Sequence, residues 1–318
     1  MLVIGLDEAG YGPMLGPLVV GASAFRLAQA PARGAVDLHA ALEGLACRAG
    51  KARRGQPLPV PVDDSKEVKR RHGLPGLARG VAFGLVGAGR DLPEHLAGLL
   101  AACGDRPAAS ALADPWWGEP ELARLPATDL PRDLRARCLV KGVEPLGVWV
   151  APALPGELNE AFEATGNKSR VLFLATVTLL MRVLQELPGE EVLVRLDRQG
   201  GRLDYGPWLA GVFPFHGVEE LPAGEGEARY RLRDGARSLQ VEFATGGDGR
   251  HLEVGLASMA AKLVRELCME RMNAWFGARV PGLAPTAGYV QDGRRWMKQV
   301  APLLAREGIG RERLVRAR

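Results

Sequence analysis

The chain has 318 residues, 47% of them hydrophobic and 25% charged, with a formal net charge of +4. That length and apolar content suffice for a full core, in one large domain or one domain with insertions, and read as an ordinary soluble globular protein. No run approaches the ~18 to 20 apolar residues of a membrane span. The N-terminus reaches acidic residues by position 7 without the basic stretch of a signal peptide, so no membrane association is expected and the default location is cytoplasmic.

The first elements are two apolar runs, LVIGL from Leu2 and PLVVGASAF from Pro17, joined by a glycine loop; both read as strands, paired as a hairpin. A short helix is expected near VDLHAALEGLA, and Asp64 with Glu67 fits a capping box opening a further helix. From Leu74 to about Arg137 the periodicity is weak and DPWWGEP looks exposed, so an insertion spanning about 67–140 is expected. VEPLGVWVAP reads as a third strand. Ser169 to Leu187 is apolar all round, as in a helix buried on a sheet. Val192 to Leu196 is a strand ending on Asp197 and a glycine turn. ARYRLRDGARSLQVEF alternates around Asp234-Gly235, a hairpin signal within a second insertion at about 200–238. GGDGRHLEVGLASMAAKLVRELCMERMNAWF reads as a long helix in which Ala257, Ala260 and Ala261 permit close packing, and a turn and final helix follow from Gly288.

Carboxylates stand at the ends of two strands, Asp7 with Glu8 and then Asp197, and Asp248 lies just before a helix start; glycines flank all of them. Each has an ordinary structural reading: Asp248 as a helix cap, Asp197 as a strand end. The adjacent pair Asp7-Glu8 resists such a reading, because neighbours in a strand face opposite sides and one would point into the core. A buried carboxylate costs several kcal/mol without compensation, so a positive group should lie nearby. Strand ends on one side of an α/β sheet are where sites gather. Four converging acids repel one another, and a divalent cation with hard oxygen ligands resolves the repulsion; Mg²⁺ or Mn²⁺ fits, since no histidine or cysteine accompanies them. The four cysteines show no zinc or disulfide spacing. A dinucleotide-binding reading of GYGPMLG fails, because that loop leads into a strand where a phosphate loop would open a helix.

GLDEAGYGPMLGPLVVGA resembles the opening of the type 2 ribonucleases H, ribonucleases HII and HIII, with their Asp-Glu-Ala-Gly-x-Gly signature. Further landmarks follow in family order: Asp64-Ser65-Lys66, the Asn-containing ELNEAFEAT ahead of a long apolar helix, Asp197 after VLVRL, Asp248 ten residues before the serine of ASMAAK, and Gly288-Tyr289. The resemblance implies an α/β ribonuclease H-like fold, with a mixed five-stranded sheet and helices on both faces. It implies metal-dependent hydrolysis of RNA in RNA/DNA hybrids, or at ribonucleotides embedded in duplex DNA. On that reading Asp7, Glu8, Asp197 and Asp248 hold two Mg²⁺ or Mn²⁺ ions. Gly10, Tyr11 and Gly12 approach the sugar, where the 2′-hydroxyl marks RNA, and Ser65, Lys66, Lys168 and Tyr289 complete the substrate contacts.

The pattern departs from the family at Tyr11, where ribonuclease HII enzymes usually carry Arg or Lys, and this bears on selectivity between hybrid and junction. Two function classes follow: an active endonuclease, or a non-catalytic nucleic-acid-binding or scaffold protein on the same fold. Retention of all four acids favours the first, because binding alone has no need of four carboxylates beside a phosphate backbone.

Overall fold

The computed structural model describes residues 1–318 except 30–35, 54, 105–113, 118–122, 189–190, 200–201, 203, 235–236 and 318. The apolar runs form β1 (Leu2–Ala9) and β2 (Leu18–Leu27), antiparallel from Leu2 opposite Arg26 to Ala9 opposite Val19. Small elements follow: α1 (Leu38–Ala41), capped by the Asp37 carboxylate, then β3 (Ala46–Cys47) beside β4 (Val60–Pro61). Next come α2 (Ser65–Gly87), α3 (Leu96–Cys103), α4 (Leu134–Val140) and β5 (Val143–Ala153). Then α5 (Pro155–Thr165), α6 (Lys168–Glu186), β6 (Glu191–Asp197), α7 (Gly206–Val212), β7 (Gly217–Leu221), β8 (Glu227–Asp234) and β9 (Arg237–Ala244) precede three last helices, α8 (Gly247–Arg250), α9 (Leu252–Gly277) and α10 (Val290–Glu307).

The main sheet is mixed, in the order β5-β2-β1-β6-β9-β8-β7. β1, β6 and β9 run parallel, and the outer strands on either side are antiparallel to their neighbours. Five strands were expected and seven are present, because the segment at about 200–238 adds β7 and β8 to the edge beyond β9. The hairpin expected around Asp234-Gly235 is the β8–β9 pair; Gly235 itself, and the expected Gly200-Gly201 turn, lie outside the described residues.

Alternation along β1 separates two cores. Leu2, Ile4 and Leu6 face α6 and α7, whereas Val3 joins the cluster under α2, α9 and α10. On the second face, a Cβ at Gly5 would overlap the Glu253 backbone, and one at Gly21 would overlap the Ala257 carbonyl. Only glycine lets α9 lie this close to β1 and β2, and Ala257, Ala260 and Ala261 are fully packed there, as their spacing predicts.

Several expectations are corrected. Helix α2 begins at Ser65 and packs its interior face into the core, so the weakly patterned stretch from Leu74 continues a helix as far as Gly87. Gly73, at φ 66°, kinks α2, which lets Pro75 start a new helical turn without losing a hydrogen bond. Asp64 caps α2 through the Lys66 and Glu67 amides, while the Glu67 carboxylate pairs with Arg70 and Arg71. Trp116 and Trp117 are fully buried, not exposed: Trp116 packs on Phe276 and Trp275, and the Trp117 indole donates to Asp114. Helix α6 is buried on one side only, since Leu174 and Met181 are 38% and 37% exposed. The expected long helix is broken at His251 into α8 and α9.

Candidate active site

β1 and β6 are adjacent and parallel, with Leu6 beside Leu196, so Asp7, Glu8 and Asp197 emerge at the same end of the sheet. β9 runs parallel to β6 and ends at Ala244; the chain then turns through left-handed Gly246 into α8, which carries Asp248. The Gly247 amide donates to Asp197 at 3.1 Å and ties that turn to β6.

Strand β1 does not stop before its acids. It continues through Asp7 and Glu8 to Ala9, and the two side chains take opposite faces of the sheet edge. Asp7 is 9% exposed and lies near the Ser258 hydroxyl of α9, which itself donates to Ser65. Burial raises its carboxyl well above the usual range, and repulsion from Glu8 and Asp248 adds to the rise. Burial likewise pushes Glu8 up to about 7, with Asp197 contributing and Lys66 opposing. Asp248 is pushed up to about 6, by burial first and then by Asp64 and Asp197, with the Gly249 amide and Lys66 opposing. All four sequence-predicted acids therefore lie within reach of one another's charge. Lys66, exposed at the start of α2, is the positive group that the buried acids called for.

The substrate-contact candidates divide. Tyr11, Gly12, Lys168 and Tyr289 come together on the loop after β1: the Tyr11 hydroxyl meets Ser169 at 3.2 Å, and the Lys168 ammonium lies 4.7 Å from the Tyr11 ring centre. Tyr289 is 60% exposed and borders Gly12, which is itself exposed. Gly10, at φ 93°, is packed against the Arg265 side chain and the Pro17 carbonyl, so its lack of a side chain serves the turn and not an approaching ligand. Ser65 is 4% exposed and bonded to Ser258 at 2.9 Å; it braces α2 against the helix that holds Asp7 and does not face solvent.

Two site residues escaped the sequence reading. Asp64, read as a helix cap and as the start of a landmark, is the leading charge felt by Asp248, and Ser258, seen as a landmark, lies beside Asp7. An acid directly before a helix beginning Ser-Lys carries no signal that it faces a second acid some 180 residues away.

The donor set is entirely carboxylate oxygen, and Asp7, Glu8 and Asp248 are destabilised as anions by burial and by neighbouring acids, which is the chemistry that suits hard divalent cations. Among the described residues no three His, Cys, Asp or Glu side chains close into a ligand cluster. No helix among the described residues is long and apolar enough to cross a membrane.

No family model matches the chain, and a search of curated proteins finds no match. Similar solved structures include ribonuclease HII of Archaeoglobus fulgidus in complex with PCNA, at 17% identity over 100% of this chain and 95% of that one, with a TM-score of 0.41. Ribonuclease H2 of Pyrococcus horikoshii OT3 is similar at 14% identity over 99% and 92%, with a TM-score of 0.41. Bst-RNase HIII in complex with Mn²⁺ is similar at 14% identity over 99% of this chain and 66% of that one, with a TM-score of 0.40. These neighbours are ribonuclease HII or HIII chains, matched along essentially the whole of this chain.

Proposed function

We propose that the chain is a metal-dependent endonuclease of the type 2 ribonuclease H kind, cutting RNA in RNA/DNA hybrids or at ribonucleotides embedded in duplex DNA. One observation carries the proposal: carboxylates from β1, β6 and α8 stand at one sheet end, where burial and neighbouring acids raise the proton affinity of Asp7, Glu8 and Asp248, with a lysine beside them. A fold that served only to bind a polyanion would gain nothing from that arrangement. On this reading the chain is one ribonuclease H-like domain, and the segment at 200–238 widens its sheet.

Asp7, Glu8, Asp197 and Asp248 would hold the divalent cations. These supply Lewis-acid activation of water and charge stabilisation at the scissile phosphate when bound. The Gly247 amide orients Asp197 by a hydrogen bond, so that this acid presents a fixed lone pair. Lys66 offsets the acids' charge and would pair with a substrate phosphate. Gly12 and the ring of Tyr11 offer an open edge and a flat face at the sugar, and Lys168 and Tyr289 flank them.

The test is cleavage of three labelled duplexes, namely RNA/DNA hybrid, DNA with one embedded ribonucleotide, and all-DNA, in Mg²⁺, in Mn²⁺ and in chelator. Metal-dependent cutting confined to the ribonucleotide-containing duplexes is expected, with Asp7→Asn and Asp248→Asn at least ~100-fold slower and folded by circular dichroism. Cleavage by Asp248→Asn at the full rate would remove that residue from the site. Absence of cutting together with tight hybrid binding would replace the enzyme by a binding protein.

A further inference from the structure

The loop joining β1 to β2 carries Tyr11 and Gly12, and its backbone is held from three directions. The Gly288 carbonyl accepts from the Met14 amide at 2.8 Å and the Leu15 amide at 3.2 Å. Arg265 of α9 reaches the Leu15 carbonyl from below, and its side chain fills the space beside Gly10. The third hold comes from the far end of the sequence. After α10 the chain turns back, Leu314 is buried, Val315 bridges to Leu15, and the Arg316 amide donates to the Met14 carbonyl at 3.0 Å.

Arg316 is 7% exposed, and its guanidinium donates to the Gly16 carbonyl through Nε at 2.8 Å and to the Gly10 carbonyl through Nη1. These acceptors belong to one loop and are all backbone. Burial, and then the charge of Arg265, push the guanidinium down to about 9. A buried cation without a carboxylate partner among the described residues is an expensive way to hold a loop for stability alone, since an apolar side chain would fill the space without that cost.

The same segment is pinned on its other side by Asn159 of α5. Its Nδ2 donates to the Val315 carbonyl at 2.9 Å and to the Glu312 carbonyl at 3.0 Å, and its Oδ1 accepts from the Ala317 amide at 2.6 Å. Asn159 is the asparagine of ELNEAFEAT, a motif that the carboxylate chemistry leaves without a role.

We infer that residues 314–317 are a strap that fixes the glycine loop to α5, and that Arg316 is a positioning residue holding Tyr11 and Gly12 in register with Asp7 and Glu8. The catalytic consequence rests on the nuclease reading above; the strap itself does not. Only Ala9 separates the acids from Gly10, whose carbonyl Arg316 holds, so a loose loop would misplace the substrate's sugar without disturbing the acids.

The experiment compares wild type with Arg316→Met, Arg316→Lys and Asn159→Ala, with melting temperature as the check on folding. Amide hydrogen exchange is read at residues 10–16 and at 2–6. Steady-state cleavage of the hybrid is read in the same proteins. Arg316→Met and Asn159→Ala should each speed exchange in 10–16 by about tenfold or more while 2–6 stays at the wild-type rate. The KM for hybrid should rise about tenfold with kcat changed less than about threefold, and Arg316→Lys should recover part of both. Wild-type exchange in 10–16 for both Arg316→Met and Asn159→Ala would overturn the strap. Faster exchange with unchanged KM would keep the strap and overturn the positioning role. If the wild type cuts nothing, the nuclease reading fails while the exchange arm still decides the strap.

Discussion

Replacing Glu8 by glutamine removes a charge from a crowded site while keeping nearly the same volume. Burial and the charge of Asp197 hold the Glu8 carboxyl at about 7 against an ordinary 4.5. The folded chain therefore keeps a proton that the unfolded chain releases, and the stability tied to that proton is intact below about pH 4.5 and lost as pH rises through 7. Each pH unit of the rise is worth about 1.4 kcal/mol, so ionised Glu8 costs the metal-free fold about 3 kcal/mol above pH 7. Asp248, held at about 6, acts in the same direction. In chelator at pH 8, Glu8→Gln should melt about 5 °C above wild type, and at pH 4.5 the two should coincide. Saturating Mn²⁺ should raise the wild-type melting temperature more than that of the variant, because the cation supplies the compensation that the substitution makes unnecessary. Scanning calorimetry at the two pH values measures this directly. Equal melting temperatures at pH 8, or a gain of the same size at pH 4.5, would refute the account of Glu8 as a buried acid strained by its neighbours.

Three further outcomes are expected. Gly5→Ala places a methyl into the Glu253 backbone, so α9 must lift from β1 at a cost of about 3 kcal/mol, read as a lower urea midpoint; a shift under about 0.5 kcal/mol would contradict the close approach. Arg195 donates to Glu242 at 2.8 Å and to the fully buried Glu253 at 2.9 Å. Arg195→Met should cost about 3 to 5 kcal/mol, and adding Glu253→Gln should return part of it; additive losses in the double variant would argue against a shared buried network. Tyr11→Arg should raise cleavage at a single embedded ribonucleotide relative to hybrid, and an unchanged ratio would mean that this position does not select substrate.

Much of this architecture was legible in the chain. Apolar runs placed β1, β2, β5 and β6, period-two alternation placed the β8–β9 hairpin, and the paired acids after an apolar run pointed to the sheet end from which Asp7, Glu8 and Asp197 emerge. What local pattern could not decide was partnership across long separations. Nothing near Trp116-Trp117 signals that Phe276 and Trp275 cover them, so two buried rings read as an exposed loop. Seven strands stand where five were expected because edge strand β7 is placed by pairing onto β8, a contact that no hydropathy window records. Ser65 read as a surface contact because burial by Ser258 depends on how α9 lies on the sheet, which Gly5 and Gly21 set by close approach. The sequence by itself determined which residues carry charge and where the most strongly patterned strands and helices run, since those follow from side-chain chemistry and local periodicity. Tertiary structure alone decided that Lys66 and Asp64 stand among the acids and that Arg316 reaches Gly10 across 306 positions, because burial and charge coupling are properties of the packed whole.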